Sequence, residues 1–443
     1  MTKSYRIVFE CYDKKAPKKT LVRTNLVEGE IERATSLLDF SMGHTKQIDL
    51  IKKSGDCYLA EKLKLNEDNR ICPDCPGKLM KLGKHESTFH DVFTDHKMIM
   101  QRLKCTSCHK EQPSTVRTLF NGVESAELMK IQSELGAKHT FRDCEDILRL
   151  ISNNQRKINN HDRVKQVVET VGDSLDLITD QEIGVISVDS ADELILNVDE
   201  GHIKTTADKR SIEAMTSVIY RPESIESNDS ETRNYISSKN CVASVKNDGG
   251  AQLIKNTIVA ALKQGLTDKT HITALCDGAE NCWKVVEALK PLSGSMTCIV
   301  DWFHIAMKIQ NIALPKDQKE ELTSVKWHLW RGNVDKAQEK LLSIIINVEE
   351  KYQGRLKKLQ TYIEKNKEKI VDYNARKEQG LVFTSNLAES TVESLINQRC
   401  KGHQHMRWSR EGLNPLLQLR AAIASNDWND RWKTAILTAT QKV

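Results

Sequence analysis

"CPDC" at 72–75 and "CTSC" at 105–108 are two cysteine pairs of the same spacing, and they constrain the local fold more tightly than any other stretch of the chain. Two residues between cysteines let one turn aim both thiolates at a single ion, and tetrahedral zinc then requires a second turn brought alongside. The 29 residues between the pairs can supply that return, with "DHKMIMQRLKC" as the strand leading into the second pair. Cys72, Cys75, Cys105 and Cys108 are therefore expected to hold one structural zinc ion in a ribbon. Four thiolates leave no open position for catalysis. His85, His90, His96 and His109 lie in or beside the span as competing ligands.

The 12 cysteines are spread over 443 residues, which argues for thiols and metal ligands over a disulfide framework. No apolar run approaches the roughly 18 residues of a membrane span, and the start "MTKSYRIVFE" lacks the apolar core of a signal peptide. An intracellular, soluble chain with no membrane partner is expected. Net charge is only +5, from 66 basic and 61 acidic residues. Overall charge is thus a weak pointer to nucleic acid, and local clusters must carry that argument.

Length alone predicts several domains, and the expected fold class is multidomain, α+β and α/β. Residues 1–69 read as an α/β region with the short strand "YRIVFE" followed by charged helices, and 70–115 as the ribbon. Residues 120–178 show apolar spacing of three and four, broken near Gly136 and at "NNQRKINN", which predicts three short helices. A last helix after a basic, asparagine-rich turn has a helix-turn-helix outline, with Arg156, Lys157 and Arg163, joined by Lys165, available to DNA phosphates. A plain helical bundle is the competing reading.

The period then changes. "EIGVISVDSADELILNVDEGHIKT" and "IEAMTSVIYRP" read as adjacent strands, followed by a helix from "SVKNDGGAQLIKN" and two strand–helix units, "THITALCDGAENCWKVVEAL" and "SMTCIVDWFHIAMKIQN". This predicts a mixed sheet with helices packed on its faces over 180–310. Acidic residues stand where three strands end: Asp199, Asp277 and Asp301. Glu389 begins a helix in "FTSNLAESTVESLINQR". Singly, each is a common capping or turn residue. Jointly, carboxylates at strand ends and on a packing helix can hold two hard divalent ions, magnesium or manganese, for phosphodiester chemistry.

The stretches "NVDEGHIKT", "LCDGAENCW", "IVDWFHIAMK", "LWRGNVDKA" and "AESTVESLINQRCKGHQHMRWSREGLNPLLQLRAAI" resemble insertion-sequence transposases of the Mutator-like class. These enzymes use a DDE triad on an RNase H-like fold, and the resemblance spans roughly residues 180–425. It implies Asp199 and Asp277 as the two aspartates, Glu389 as the glutamate, and Asp301 with His304 as a D-x-x-H companion motif beside the metal site. It also implies an all-α insertion, here 311–383, interrupting the sheet before the last part of the catalytic core at 384–443. Asp189 and Glu200 remain rivals for Asp199, Asp301 for Asp277, and Glu393, one turn beyond Glu389, for a share of the same metal.

Within the helical stretch Trp327 and Trp330 fall three apart, a spacing that suits core packing, with stacking on unpaired bases as the alternative. "NQRCKGHQHMRWSR" interleaves Arg399, Lys401, Arg407 and Arg410 with Trp408 and two histidines and contains no acid, a composition suited to phosphates and a stacked base. The expected activity is DNA cleavage at the ends of a mobile element and joining of the 3′ ends to target DNA. Double-stranded DNA, a homo-oligomeric synaptic complex and a location on the bacterial nucleoid accompany it. The alternative is a transposase-derived DNA-binding regulator without catalysis. A hydrolase built on Cys298 and His304 lacks any accompanying motif.

Overall fold

A computed structural model describes the chain apart from residues 1, 67–70, 113–123, 183–185, 207–210, 229–232, 403–405 and 442–443; a few further side chains, Glu389 among them, also lie outside the described residues. The chain forms two compact units, residues 1–171 with 432–443, and residues 172–431.

The first unit begins with a long antiparallel hairpin of β1 (Lys3–Asp13) and β2 (Ala16–Ile31). The second strand departs from the expectation of charged helices over this region: Thr20, Val22, Thr24 and Val27 are β-branched, and pairing with β1 satisfies a backbone whose lysines and glutamates face solvent. Helix α1 (His44–Asn66) follows, then the three-stranded antiparallel sheet β3 (Leu79–His90), β4 (Asp95–Cys105) and β5 (Glu111–Gln112). Three helices come next, α2 (Ala126–Lys138), α3 (Phe141–Ser152) and α4 (His161–Glu182). Ser125 and Thr140 cap the first two by accepting from Leu128 N and Asp143 N, at 3.2 Å each. Leu128, Cys144, Leu148 and Val164 of these helices bury themselves together with Val92.

The second unit is built on a five-stranded mixed sheet. Its strands are β6 (Glu193–Ile203), β7 (Ile212–Tyr220), β10 (Asn240–Ser244), β11 (His271–Cys276) and β12 (Ser295–Val300), with a small separate hairpin, β8 (Ile225–Asn228) and β9 (Arg233–Ile236), before β10. The order across the sheet is β10-β7-β6-β11-β12. β7 is antiparallel to both its neighbours, and β11 is parallel to both of its own. Helices α5 (Ala251–Lys263), α6 (Glu280–Leu289) and α7 (Trp302–Gln310) follow β10, β11 and β12. Residues 316–378 are helical: α8 (Lys316–Trp330), α9 (Val334–Asn347), α10 (Glu350–Lys365) and α11 (Tyr373–Glu378). Then α12 (Asn386–Val392) runs through a π-helical segment, Glu393–Asn397, into α13 (Gln398–Cys400); α14 (Arg410–Ala424) and α15 (Trp428–Gln441) complete the chain.

The register brings the ends of β11 and β12 level with the middle of β6, which runs on to Ile203 in its pairing with β7. Val198 of β6 lies opposite Cys276 of β11, and Cys276 opposite Val300 of β12. Leu194, Leu196, Ile272, Leu275 and Ile299 are buried along these strands, the continuous apolar character of parallel strands covered on both faces. The next residue in each case is an aspartate: Asp277 and Asp301 follow the ends of β11 and β12 as expected, whereas Asp199 lies inside β6, because that strand is extended by its pairing with β7.

Candidate active site and metal cluster

In the first unit the two cysteine turns meet. The four Sγ atoms of Cys72, Cys75, Cys105 and Cys108 lie within 4.8 Å of one another, with Cys72 to Cys108 at 3.8 Å and Cys75 to Cys105 at 3.4 Å. Thiolates on tetrahedral zinc with bonds of about 2.3 Å stand about 3.8 Å apart, so the cluster fits a structural zinc ion. The turns are fixed by backbone bonds from Cys72 N to Gly77 O (2.9 Å) and from Thr106 N to Lys78 O (2.9 Å). A side chain at position 77 would meet Cys105 Sγ at 2.6 Å, which is why glycine stands there. N–H donors from Cys108 and Ser107 reach the Cys105 Sγ at 3.4 and 3.3 Å, bonds that favour the thiolate a metal needs. None of the four nearby histidines joins the cluster. His96 is instead buried, with Nδ1 2.7 Å from Asp56 Oδ1, and His90 Nδ1 lies 2.8 Å from Asp95 Oδ1.

In the second unit Asp199, Asp277 and Asp301 stand level on three neighbouring parallel strands, at the point where the ladders joining β6, β11 and β12 end. Adjacent strands lie about 4.8 Å apart, so the three carboxylates line one small cavity with His304, Ser385 and Ala388. Burial raises the Asp199 carboxyl above its ordinary value; the Glu200 N–H and His304 oppose this, and the charges of Asp277 and Asp301 add to it. His304, on the first turn of α7, places Nε2 3.9 Å from Asp199 Oδ1 and Nδ1 3.4 Å from Asp301 Oδ2.

The three aspartates do different work. Asp301 is 1% exposed and caps α7 by accepting from Phe303 N at 3.1 Å, while Ser385 donates to it through its backbone N–H (3.0 Å) and its hydroxyl. It ties the approach to α12 onto the sheet and has little capacity left for a metal. Asp277 accepts from Ala279 N at 2.8 Å with one oxygen. The backbone of Glu389 lies in α12, whose Ala388 and Val392 line the same cavity, while its side chain lies outside the described residues.

The rivals separate by position. Asp189 is exposed and precedes β6, at the opposite end of the strand from Asp199. Glu200 follows Asp199 on the other face of the pleat, and burial, then Asp277 and Glu213, push it up to about 7. Glu393 is exposed and receives a hydrogen bond from Asn397. Cys298 is half-buried, and burial holds its thiol in the neutral form. Among the described residues the four cysteines are the only group of three or more potential ligands whose atoms gather within 4.8 Å. The carboxylates are aligned without being closed into such a cage.

Comparison with known proteins leaves this geometry to speak for itself. No protein-family model matches the chain, and no curated protein matches it.

Three of the basic residues expected on DNA are occupied within the protein. Arg156 is buried, donating to Val92 O (3.1 Å), Thr94 O (2.9 Å) and Asp95, so it locks the β3–β4 turn rather than meeting a phosphate. Arg163 is partly buried and pairs with Glu124 at 2.6 Å and Gln166 at 2.6 Å. Arg399 is 3% exposed with its guanidinium 5.1 Å from the ring centre of Trp408, and Trp408 is itself 8% exposed, its indole N–H donating to Cys400 O at 3.3 Å. A phosphate or base cannot reach groups packed in this way; both belong to the interior. Lys157, Lys401 and Arg407 are exposed. Trp330 packs at 4.8 Å from Trp302 and 5.5 Å from Phe383, whereas Trp327 is exposed.

Composition had no means of separating these cases. Ser385, Tyr362 and Asn366 also contact the aspartate-bearing segments, from far along the chain. No local motif signals them.

Proposed function

We propose that this chain is a DDE transposase, a metal-dependent recombinase that cuts DNA at the ends of a mobile element and joins the freed 3′ ends to target DNA. The observation that supports it best is the alignment of Asp199, within β6, with Asp277 and Asp301, just past the ends of the neighbouring β11 and β12, beside the helix that bears Glu389. A mixed sheet completed before residue 301 and separated from α12 by the helical residues 316–378 is consistent with an RNase H-like core carrying an all-α insertion.

All-oxygen donors with converging negative charge suit Mg2+ or Mn2+, and Asp199, Asp277 and Glu389 are the residues that would hold them. Two such ions activate the attacking oxygen and stabilise the leaving one. Asp199, kept partly from water by burial, would gain from a cation in place of a proton. Asp301 orients the start of α7 and the segment before α12, and His304 stands between the two aspartates. The cysteine cluster plays a structural part. Double-stranded DNA at the nucleoid, met through exposed cations such as Lys157, Lys401 and Arg407, and a homo-oligomeric complex joining two ends complete the reading.

The test incubates the purified chain with Mn2+ and end-labelled DNA from both flanks of its own gene, with Asp199→Asn as control. The expected products are discrete nicks with 3′ hydroxyls and strand-transfer joints, absent with the control. Binding without cleavage in any divalent metal would instead favour a DNA-binding regulator.

A further inference from the structure

We infer that the helical region 316–378 is built into the candidate metal site, and that Tyr362 is a positioning residue that sets the place of Asp277 by holding the backbone just past the end of β11. The inference rests on the reading of Asp277 as a metal ligand.

Three side chains from the helical region end on backbone oxygens at or beside the aspartates. The Tyr362 hydroxyl donates to Asp277 O at 2.8 Å, Asn366 Nδ2 to Gly278 O at 3.4 Å, and the Tyr373 hydroxyl to Val300 O at 2.7 Å, one residue before Asp301. β11 ends at Cys276, so Asp277 O lies past the ladder and must find a donor elsewhere. Tyr362 is that donor.

Shape reinforces the bond. Gly278 has φ +91°, and a Cβ there would meet Tyr362 Cε2 at 2.7 Å, so the ring lies directly against the turn that follows Asp277. Asn366 is buried and braced by the Trp283 indole N–H at 3.1 Å, which links the same turn to α6. Lys308 of α7 places its ammonium 4.6 Å from the centre of the Tyr362 ring. Tyr362 therefore touches both the turn bearing Asp277 and the helix bearing His304, and it fixes the spacing between them. A helical appendage that merely packed on the sheet would have no reason to direct its polar groups at these carbonyls.

Mn2+ isotherms on the zinc-loaded chain test this with three proteins: wild type, Asp277→Asn and Tyr362→Phe. Loss of an outer hydrogen bond at a metal site lowers affinity by about 10- to 100-fold. Tyr362→Phe keeps the ring, so it is expected to bind Mn2+ about 10-fold more weakly, to melt (zinc-loaded, without Mn2+) only the few degrees lower that one lost donor costs, and to keep wild-type DNA affinity; Asp277→Asn is expected to lose the site. If Asp277→Asn loses Mn2+ but Tyr362→Phe binds like wild type, the positioning role is overturned and the metal reading stands. If Asp277→Asn binds like wild type, the metal reading falls and the positioning role with it. A zinc-loaded Tyr362→Phe chain whose melting temperature without Mn2+ falls by more than about 12 °C, beyond what one lost donor costs, has lost stability rather than positioning, which also overturns the inference. Backbone hydrogen exchange over 277–283 supplies a second readout, expected to quicken in Tyr362→Phe while 194–198 stays protected.

Discussion

Replacing Trp408 by alanine distinguishes a core residue from a DNA contact, and the structure sets the size of the effect. The indole is almost completely buried and donates to Cys400 O, Arg399 lies over its ring, and the Trp408 backbone pairs with Lys204 O and Thr206 N at 3.0 Å each. Truncating a buried tryptophan costs about 3 to 5 kcal/mol. Leaving the Cys400 carbonyl without its donor adds about 1 to 3 kcal/mol. For a unit of this size each kcal/mol lowers the melting temperature by about 2 to 4 °C, so a fall on the order of 10 °C or more is expected. Trp408→Phe, which loses the N–H but keeps an aromatic ring, should fall by roughly a third as much. Thermal unfolding of both variants beside salt-dependent DNA binding is the assay. A stacking residue would behave differently: binding would weaken by about 1 to 3 kcal/mol with the melting temperature unchanged. That outcome would refute the packing argument.

Elemental analysis should find one zinc ion per chain, and Cys72→Ser or Cys105→Ser should lose it together with the folded ribbon, because metal binding at such a site is also folding free energy; metal-free, fully folded wild-type protein would contradict this. Neutralising Lys401 and Arg407 together should flatten the dependence of log affinity on log salt by about two units, one for each phosphate no longer neutralised, whereas a slope at the wild-type value would remove both from the interface. His96 is buried, which by itself lowers its pKa, yet Asp91 and Asp56 outweigh this and raise it above the usual 6.5. A raised folded pKa stabilises fully below 6.5 and is lost as pH climbs through the folded value. The melting-temperature gap between wild type and Asp56→Asn should accordingly be widest below pH 6.5 and narrow above it, and a gap that widens with pH would show the sign to be wrong.

The parts of the fold visible in the sequence were those written in local pattern. β6, β7, β11 and β12 are Val- and Ile-rich runs followed by turn or helix signals, and the paired CxxC turns announce their own ligand geometry. β10 was not visible: "NCVAS" is short, and the "KNDGG" after it reads as the approach to a helix, so the edge strand becomes evident only through its pairing with β7. The hairpin β1–β2 was half hidden by its charges. Basic residues misled for a related reason, since Arg156 and Arg399 have the composition of a DNA contact and the burial of a structural strut. The π-helical segment after α12 also has no sequence signature, although such segments often mark functional sites.

In the proposed enzyme Asp199, Asp277 and Glu389 share one metal site, although they are separated by up to 190 residues in the chain. Iron-directed cleavage of the polypeptide tests it most directly: Fe2+ bound in place of Mg2+, with ascorbate and peroxide, generates radicals that cut the backbone beside the ion. Three clusters of cuts are expected, near residues 199, 277 and 389, suppressed by excess Mg2+ and by Asp199→Asn. Cuts confined to the cysteine turns, or absent from the neighbourhood of 389, would contradict it.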